Sequence, residues 1–477
     1  MAKETVQVAD YAVSCRYDDF PSDVVERAKQ CITDTIATII FGYDLPWSRI
    51  AVAFAEKNGA GGKSRILGPG GARVHAPSAA LANGCLAHAF EMDNLTWPST
   101  GVHPGATLLA PGLAVAQERG NGGRELITAF LAGAEVMIRI GRATHHSNEG
   151  RGFHAPGTTG PFGAAIACGR LMGLDAAHMQ NALGVAGSLS CGLMEFARSG
   201  TGAMVKRLHL GRAAESGVLA ASLAADGFTG PVSVLEGEFG FLHVFCGDAF
   251  DAGELTRGLG DSYATRSIML KRFPCHITAH TSVQAILDLR AEHRYDGADV
   301  ASIHIAGNDK MARVNNIASP TDIMMAQYSI PFCVALAHVR DPRDPRSFDE
   351  TALRDPRIRT LCECVAITID DDRPTPLAAK VTVTLKDGRV LTRAVADFKG
   401  TPQQPLDQGE LREKFLMLTR HCTADDMGEM FDRLQNLEHE TNLDWIGIRA
   451  AQHRREAYRR PARNILDPSD HDEAPSS

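Results

Sequence analysis

Through the first 250 residues the apolar positions recur at three- and four-residue spacing, the pattern of helices with one buried face. Pro21-Ser22-Asp23 marks a helix start. Val25, Ala28, Ile32, Ile36, Ile39 and Ile40 then fall on one side, and Gly42 supplies a stop. Pro77-Ser78 opens an Ala-rich helix expected to run to about Glu91. Leu126–Arg142 is predicted helical through Phe130, Ala134, Val136, Met137 and Ile140. Segments 158–172, 175–196 and 211–226 are rich in Ala, Gly and Leu. Side chains this small let helix axes approach closely, which predicts a tight bundle rather than a coiled coil. No heptad pattern or internal repeat runs through them.

Near residue 265 the pattern changes. Thr278–Glu292 is still helical, but Val300–Ile305 alternates as a strand and Val365–Ile369 is a short apolar run. Lys380–Ala396 predicts a hairpin, with Val381, Val383 and Leu385 alternating before a Lys386-Asp387-Gly388 turn and a return over Val390–Val395. Helical spacing resumes after Gly400-Thr401-Pro402, at 410–419, 424–437 and 443–455. The expected fold class is mainly α with an inserted α+β domain. A large helical bundle domain is assembled from two chain segments, 1–268 and 401–460. A smaller α+β lid domain occupies 269–400, and a polar disordered tail occupies 461–477.

Composition narrows the function. Of 477 residues, 44% are hydrophobic and 22% charged, the balance of a folded globular protein. The net charge of −8 argues against nucleic acid as a partner, because such a face makes a domain basic. The most apolar early run, Cys31–Gly42, is broken by Asp34 and falls short of the ~20 residues a membrane span needs, so no membrane association is expected. The first 20 residues lack the apolar core of a signal peptide, and a cytoplasmic location is expected. Eleven cysteines without any C-x-x-C spacing read as reduced, mostly buried thiols.

Familiar site motifs fail on inspection. Gly59-Ala60-Gly61-Gly62-Lys63-Ser64 ends like a phosphate loop, but Lys57 stands where the first glycine belongs, so a polar surface loop is expected. Ser188 and Ser190 lie outside any G-x-S-x-G, and Asp370-Asp371-Asp372 reads as a solvated turn. What remains is a set of polar residues in Gly-rich, apolar surroundings. Asp93, Thr96 and His103 lie in HAFEMDNLTWPSTGVHPGAT, and His154 in RGFHAPGTTG. Lys206 lies in VKRLHLG, Lys271 and His276 in LKRFPCH, and Tyr328 in MMAQYSIPF. Only 11 of the 49 basic residues are lysines, so a Lys opening an Ala-rich helix stands out. Cations to hold carboxylates, with His, Asp and Tyr to move protons, suit proton transfer on a small polycarboxylate.

MDNLTW with the following HPG, RGFHAPGTTG, KRLHLGRAAESG and LKRFPCHITAH together resemble the MmgE/PrpD family over roughly residues 5–455. That family includes 2-methylcitrate dehydratase, cis-aconitate decarboxylase and iminodisuccinate epimerase. The resemblance implies a helical domain with a smaller α+β lid, a site in the cleft, commonly a homodimer, and no metal or organic cofactor. Position by position it implies a site of Asp93, Thr96, His103, His154, Lys206, Lys271, His276 and Tyr328. Asp93, His103, His154 and Tyr328 are then the expected catalytic residues, and Thr96, Lys206, Lys271 and His276 the substrate-binding ones. Lys206 and Lys271, on opposite sides of the domain seam, are expected to anchor the carboxylates of one substrate as the lid closes. The expected activity is a lyase on a di- or tricarboxylate, by dehydration or decarboxylation. An epimerase or isomerase sharing the same proton abstraction, and a non-catalytic carboxylate-binding protein, remain the alternatives.

Overall fold

The computed structural model describes residues 4–98, 100–197 and 204–448. The helix at Ser22–Gly42 starts and stops where Pro21 and Gly42 predict, and nearly its whole length is buried. Beside it lie the helices Ala76–Ala87 and Gly123–Ala143, and beyond these Ala155–Met172, Ala176–Ser188 and Val205–Ala225. Val205–Ala225 packs against Ala76–Ala87, Ala155–Met172 and Ala176–Ser188 together, so it is the axis of the bundle.

Small residues make that packing possible. A Cβ added to Gly84 would stand 2.8 Å from the Cα of Gly211, so the helices Ala76–Ala87 and Val205–Ala225 meet glycine to glycine. The interior there is backbone against backbone, and one methyl group would overpack it.

Short strands frame this body. β1 (Ala60–Arg65) pairs antiparallel with β2 (Arg73–Val74). The expected surface loop at 59–64 is therefore mostly strand, exposed along much of its length but ladder-bonded. β3 (Leu95–Thr96) pairs antiparallel with β4 (Ile268–Met269), Leu95 opposite Met269 and Thr96 opposite Ile268. That pair brings residue 271 alongside residues 91–96, though they are far apart in sequence.

The second half builds one mixed sheet from β5 (Val300–Gly307), β6 (Val365–Ile369), β7 (Ala379–Leu385) and β8 (Val390–Val395), in the order β6-β5-β7-β8. β5 and β6 are parallel, with Ile303 opposite Val365, and the crossover between them is helical, as a parallel pair requires. The β7–β8 hairpin is antiparallel, and Gly388 in its turn has φ 91°. Val381, Val383 and Leu385 point into the core, and the His280–His293 helix packs on this sheet.

After β8 the chain returns. Helices Gln408–Thr419 and Ala424–Gln435 pack on Ser22–Gly42. The helix expected at 443–455 does not form over residues 443–448, which run as turns, and the rest of it lies outside the described residues, as does the tail at 461–477. Eight of the eleven cysteines are buried and all are free thiols. Among the described residues no helix is long and apolar enough to cross a membrane.

Candidate active site

The Ala-rich helix stops at Ala87, four residues before its apolar pattern does. Glu91 takes φ 57°, a left-handed backbone that is uncommon for a residue with a Cβ. The resulting turn carries His88, Glu91 and Asp93, all buried. Asn94 closes it, its side-chain oxygen accepting the N–H of Gly105 at 2.8 Å. Gln327 ties it across the molecule, donating to the carbonyls of Phe90 and Pro274, each at 2.9 Å.

Two lysines converge on one carboxylate. The ammonium of Lys206, in the first turn of Val205–Ala225, pairs with Oε1 of Glu91, and that of Lys271 lies 3.0 Å from Oε2. All three residues are buried. Burial alone would raise the Glu91 carboxyl, but the two lysines outweigh it and hold it well below the usual carboxylate range. Burial pushes the Lys206 ammonium down, and Glu91 opposes that shift. The Lys206 Nζ also stands 5.0 Å from the centre of the Tyr328 ring. Tyr328 in turn packs on His276, ring centres 4.8 Å apart. Burial and the nearby Glu91 charge raise the Tyr328 hydroxyl well above its usual value, so it serves only as a donor of a hydrogen bond or proton.

Beside this lies an Asp93-centred group. Nδ1 of His103 is 2.7 Å from one carboxylate oxygen, and Nδ1 of His88 is 3.0 Å from both. An ionised carboxylate only accepts, so both Nδ1 atoms carry the proton. Burial would raise Asp93, but the two imidazoles outweigh it and keep it well below its usual value. Burial pushes His88 down to about 4, so its ring is neutral at pH 7 and its Nε2 is a bare lone pair. That Nε2 has no hydrogen-bond partner among the described residues and lies 3.9 Å from Oε1 of Glu91, so the two groups adjoin without a hydrogen bond between them.

Among the described residues, His88, Asp93 and His103 also have ligand atoms close enough, within 4.8 Å of one another, to hold a metal ion. Their N-to-carboxylate distances are hydrogen-bond lengths, and each Nδ1–H has its acceptor. The two N–H groups and the carboxylate thus satisfy one another, while Nε2 of His88 stays unpartnered among the described residues.

Two further imidazoles complete the surroundings. His154 caps the start of Ala155–Met172, its Nδ1 3.0 Å from Nδ1 of His209. Burial, then Lys206 and His209, hold its pKa well below the usual value. His276 is held down by burial and by Lys310. Its Nδ1 accepts the Thr278 N–H at 3.4 Å, which leaves the proton of the neutral ring on Nε2.

Of the eight residues expected from sequence, Asp93 and His103 are hydrogen-bonded to each other. Lys206, Lys271, Tyr328 and His276 gather around Glu91. His154 is close enough to Lys206, His88 and His103 to feel their charge. Thr96 is buried, and its hydroxyl pairs with that of Thr100 at 2.6 Å. Glu91 and His88 were not singled out by the sequence. Both sit where the apolar helical spacing continues in the sequence, and only the early helix stop at Ala87 reveals them.

The chain matches the MmgE/PrpD N-terminal domain over residues 6–252 and the MmgE/PrpD C-terminal domain over residues 273–437. It is 28% identical to a cis-aconitate decarboxylase of Aspergillus terreus over 468 residues, covering 92% of this chain and 94% of that protein. It is 28% identical to the Homo sapiens cis-aconitate decarboxylase over 439 residues, 87% of this chain and 88% of that protein. The Mus musculus cis-aconitate decarboxylase is 26% identical over 442 residues, 87% of each chain. Two family domains in order over most of its length mean that this chain belongs to the MmgE/PrpD family.

Proposed function

We propose that this protein is a cofactor-independent lyase that decarboxylates a small unsaturated tricarboxylate of the cis-aconitate class. The observation that carries this reading is the convergence of two buried ammonium groups on a carboxylate, directly beside an aspartate-anchored pair of imidazoles. The names of the curated relatives favour decarboxylation over the other reactions the family includes.

The chemistry follows from the groups present. Lys206 and Lys271 supply positive charge for substrate carboxylates, which share it with Glu91. In the reaction the C–C bond to the carboxylate borne on the methylene carbon breaks and carbon dioxide leaves. The freed electron pair forms a new double bond, and the old π pair moves to the carbon α to a remaining carboxylate. That carbon takes up one proton. The lysines stabilise the charge spreading into that carboxylate. His103, held through Nδ1 by Asp93, presents Nε2 for the proton transfer. His154 and His276 are neutral while the site is empty of substrate. A bound trianion favours their protonated forms, because a nearby negative charge stabilises the cation.

We further propose that the body from 1–268 and 401–460 and the α+β segment 269–400 are two domains meeting at this cluster. We also propose that copies of the chain pair as a homodimer. Nine of the fourteen exposed large hydrophobic residues among those described fall between Leu193 and Val244, including Leu208, Phe228 and Phe239, a concentration that suits an interface.

The test of the activity is NMR of citrate, 2-methylcitrate, cis-aconitate and iminodisuccinate with the purified protein. Carbon dioxide and a dicarboxylate from cis-aconitate support the proposal. Water loss from a hydroxy acid, or label exchange without change of mass class, would replace decarboxylation by dehydration or epimerisation.

A further inference from the structure

Lys414 lies in the returning helix Gln408–Thr419 and is buried, though the reaction described above makes no use of it. Its Nζ pairs with the carboxylate of Asp34 and donates to the carbonyl of Met92 at 3.1 Å and of Lys271 at 2.6 Å. Those are the three donors an ammonium has. Met92 stands between Glu91 and Asp93, and its carbonyl belongs to the peptide that leads directly into Asp93. The Lys271 carbonyl belongs to the residue whose ammonium holds Glu91. Asp34 extends the network: its other oxygen accepts from Asn94 at 3.2 Å, and Asn94 accepts the N–H of Gly105, two residues beyond His103.

A buried ion pair is weak evidence for stability, because desolvating both charges offsets most of their attraction. What this one provides is position. Two segments distant in sequence, the stretch 91–105 bearing Glu91, Asp93 and His103 and the one bearing Lys271, are fixed by one ammonium and its counter-ion.

We infer that Lys414 is a positioning residue of the active site, holding the Glu91–Asp93 turn and the Lys271 backbone in register through the carbonyls of Met92 and Lys271. The inference rests on the reading of this cluster as the active site and extends it to a residue on the C-terminal segment.

The test replaces both charges at once, Asp34→Asn with Lys414→Met, in the full chain and again in a Lys271→Met background. Three quantities are read: the thermal midpoint, the affinity for propane-1,2,3-tricarboxylate by calorimetry, and kcat and KM on cis-aconitate. The expected result is a kcat lowered by at least ~10-fold and probe binding weakened by about 10-fold, the worth of one charge-assisted hydrogen bond. The thermal midpoint should stay within about 2 °C of the parent's. In the Lys271→Met background the further loss of probe binding should vanish while the loss in kcat persists, because the first acts through Lys271 and the second through Asp93. A purely structural residue would give no such split. Losses in binding that add fully across the two backgrounds, or parental kcat and affinity, would overturn the inference.

If the double variant does not fold, Lys414→Arg decides. Its guanidinium keeps the pair with Asp34 but cannot reproduce both carbonyl contacts, so the same split is expected, and parental kinetics would overturn the inference. Should the parent bind the tricarboxylate without turning over cis-aconitate, the lyase reading fails, while the binding arm still judges Lys414.

Discussion

A carboxylate buried between two ammonium groups, as Glu91 is between Lys206 and Lys271, is stable only while all three charges remain. Replacing Lys271 by Met should therefore do two things at once. It should lower the thermal midpoint by leaving Glu91 with one cation, and it should weaken carboxylate binding. The cost to stability should be about 1–3 kcal/mol, read by denaturant unfolding. Adding Glu91→Gln to Lys271→Met should cost further stability and restore none of the affinity, because the buried Lys206 ammonium then loses its counter-ion. A double variant as stable as Lys271→Met alone would mean that Glu91 is not the counter-ion of Lys206. His103 behaves differently, because it stands in a loop at the edge of the buried group. His103→Ala should fold and lose at least ~10²-fold in turnover, the lower range for one acid–base group. Near-normal turnover would move the proton-transfer role to His154. At this scale the sequence was legible where a residue type was out of place, such as a lysine in an Ala-rich helix. It was silent on Glu91, since an acidic residue ending a helix looks like any solvated turn until the two lysines are seen around it.

At the scale of elements, small residues set what touches what. A Cβ on Gly211 would meet Cys85 and the Leu81 carbonyl on the neighbouring helix. Gly211→Ala should therefore destabilise by about 1–3 kcal/mol despite the better helix propensity of Ala, as overpacked cores do. A stability equal to the parent in calorimetry would show that the two helices can separate by a methyl group without loss. The same short-side-chain helices were readable in the sequence, and the hairpin at 379–395 was readable from its alternation. Their ends were not. The Ala76–Ala87 helix stops early because the left-handed Glu91 turn is held by tertiary partners, Gln327 among them, which local spacing cannot show. β1 was missed for the opposite reason: its Gly-rich, polar composition is that of a loop, and only pairing with β2 makes it a strand.

For the molecule as a whole, the buried histidines and the two carboxylates of the candidate site bias stability in one direction. His88, His154 and His276 have pKa values depressed by folding, so the unfolded chain binds protons that the folded one refuses. Their contribution is present above the unfolded histidine pKa of ~6.5 and is lost as pH falls, for His88 down to about 4. Glu91 and Asp93, also depressed, add to the loss below the unfolded carboxylate pKa of ~4. The thermal midpoint should fall steadily from pH 7 to pH 4, without a plateau between 6 and 5. A midpoint flat across that window would mean the three imidazoles are not held neutral. The change from helical to strand periodicity near residue 265 was visible in the sequence. That the site lies where β3 meets β4, with the C-terminal segment reaching it through Lys414, depends on contacts between residues hundreds of positions apart.

The central claim is that this cluster removes carbon dioxide from a tricarboxylate by its own side chains. The most direct measurement follows cis-aconitate in deuterium oxide with chelator-treated protein, recording carbon dioxide and the deuterium content of the product together. The account predicts one carbon dioxide and one deuteron for each molecule of dicarboxylate formed, at a rate unchanged by chelator and abolished in His103→Ala. Activity lost to chelator and restored by a metal ion, or product formed without release of carbon dioxide, would contradict it.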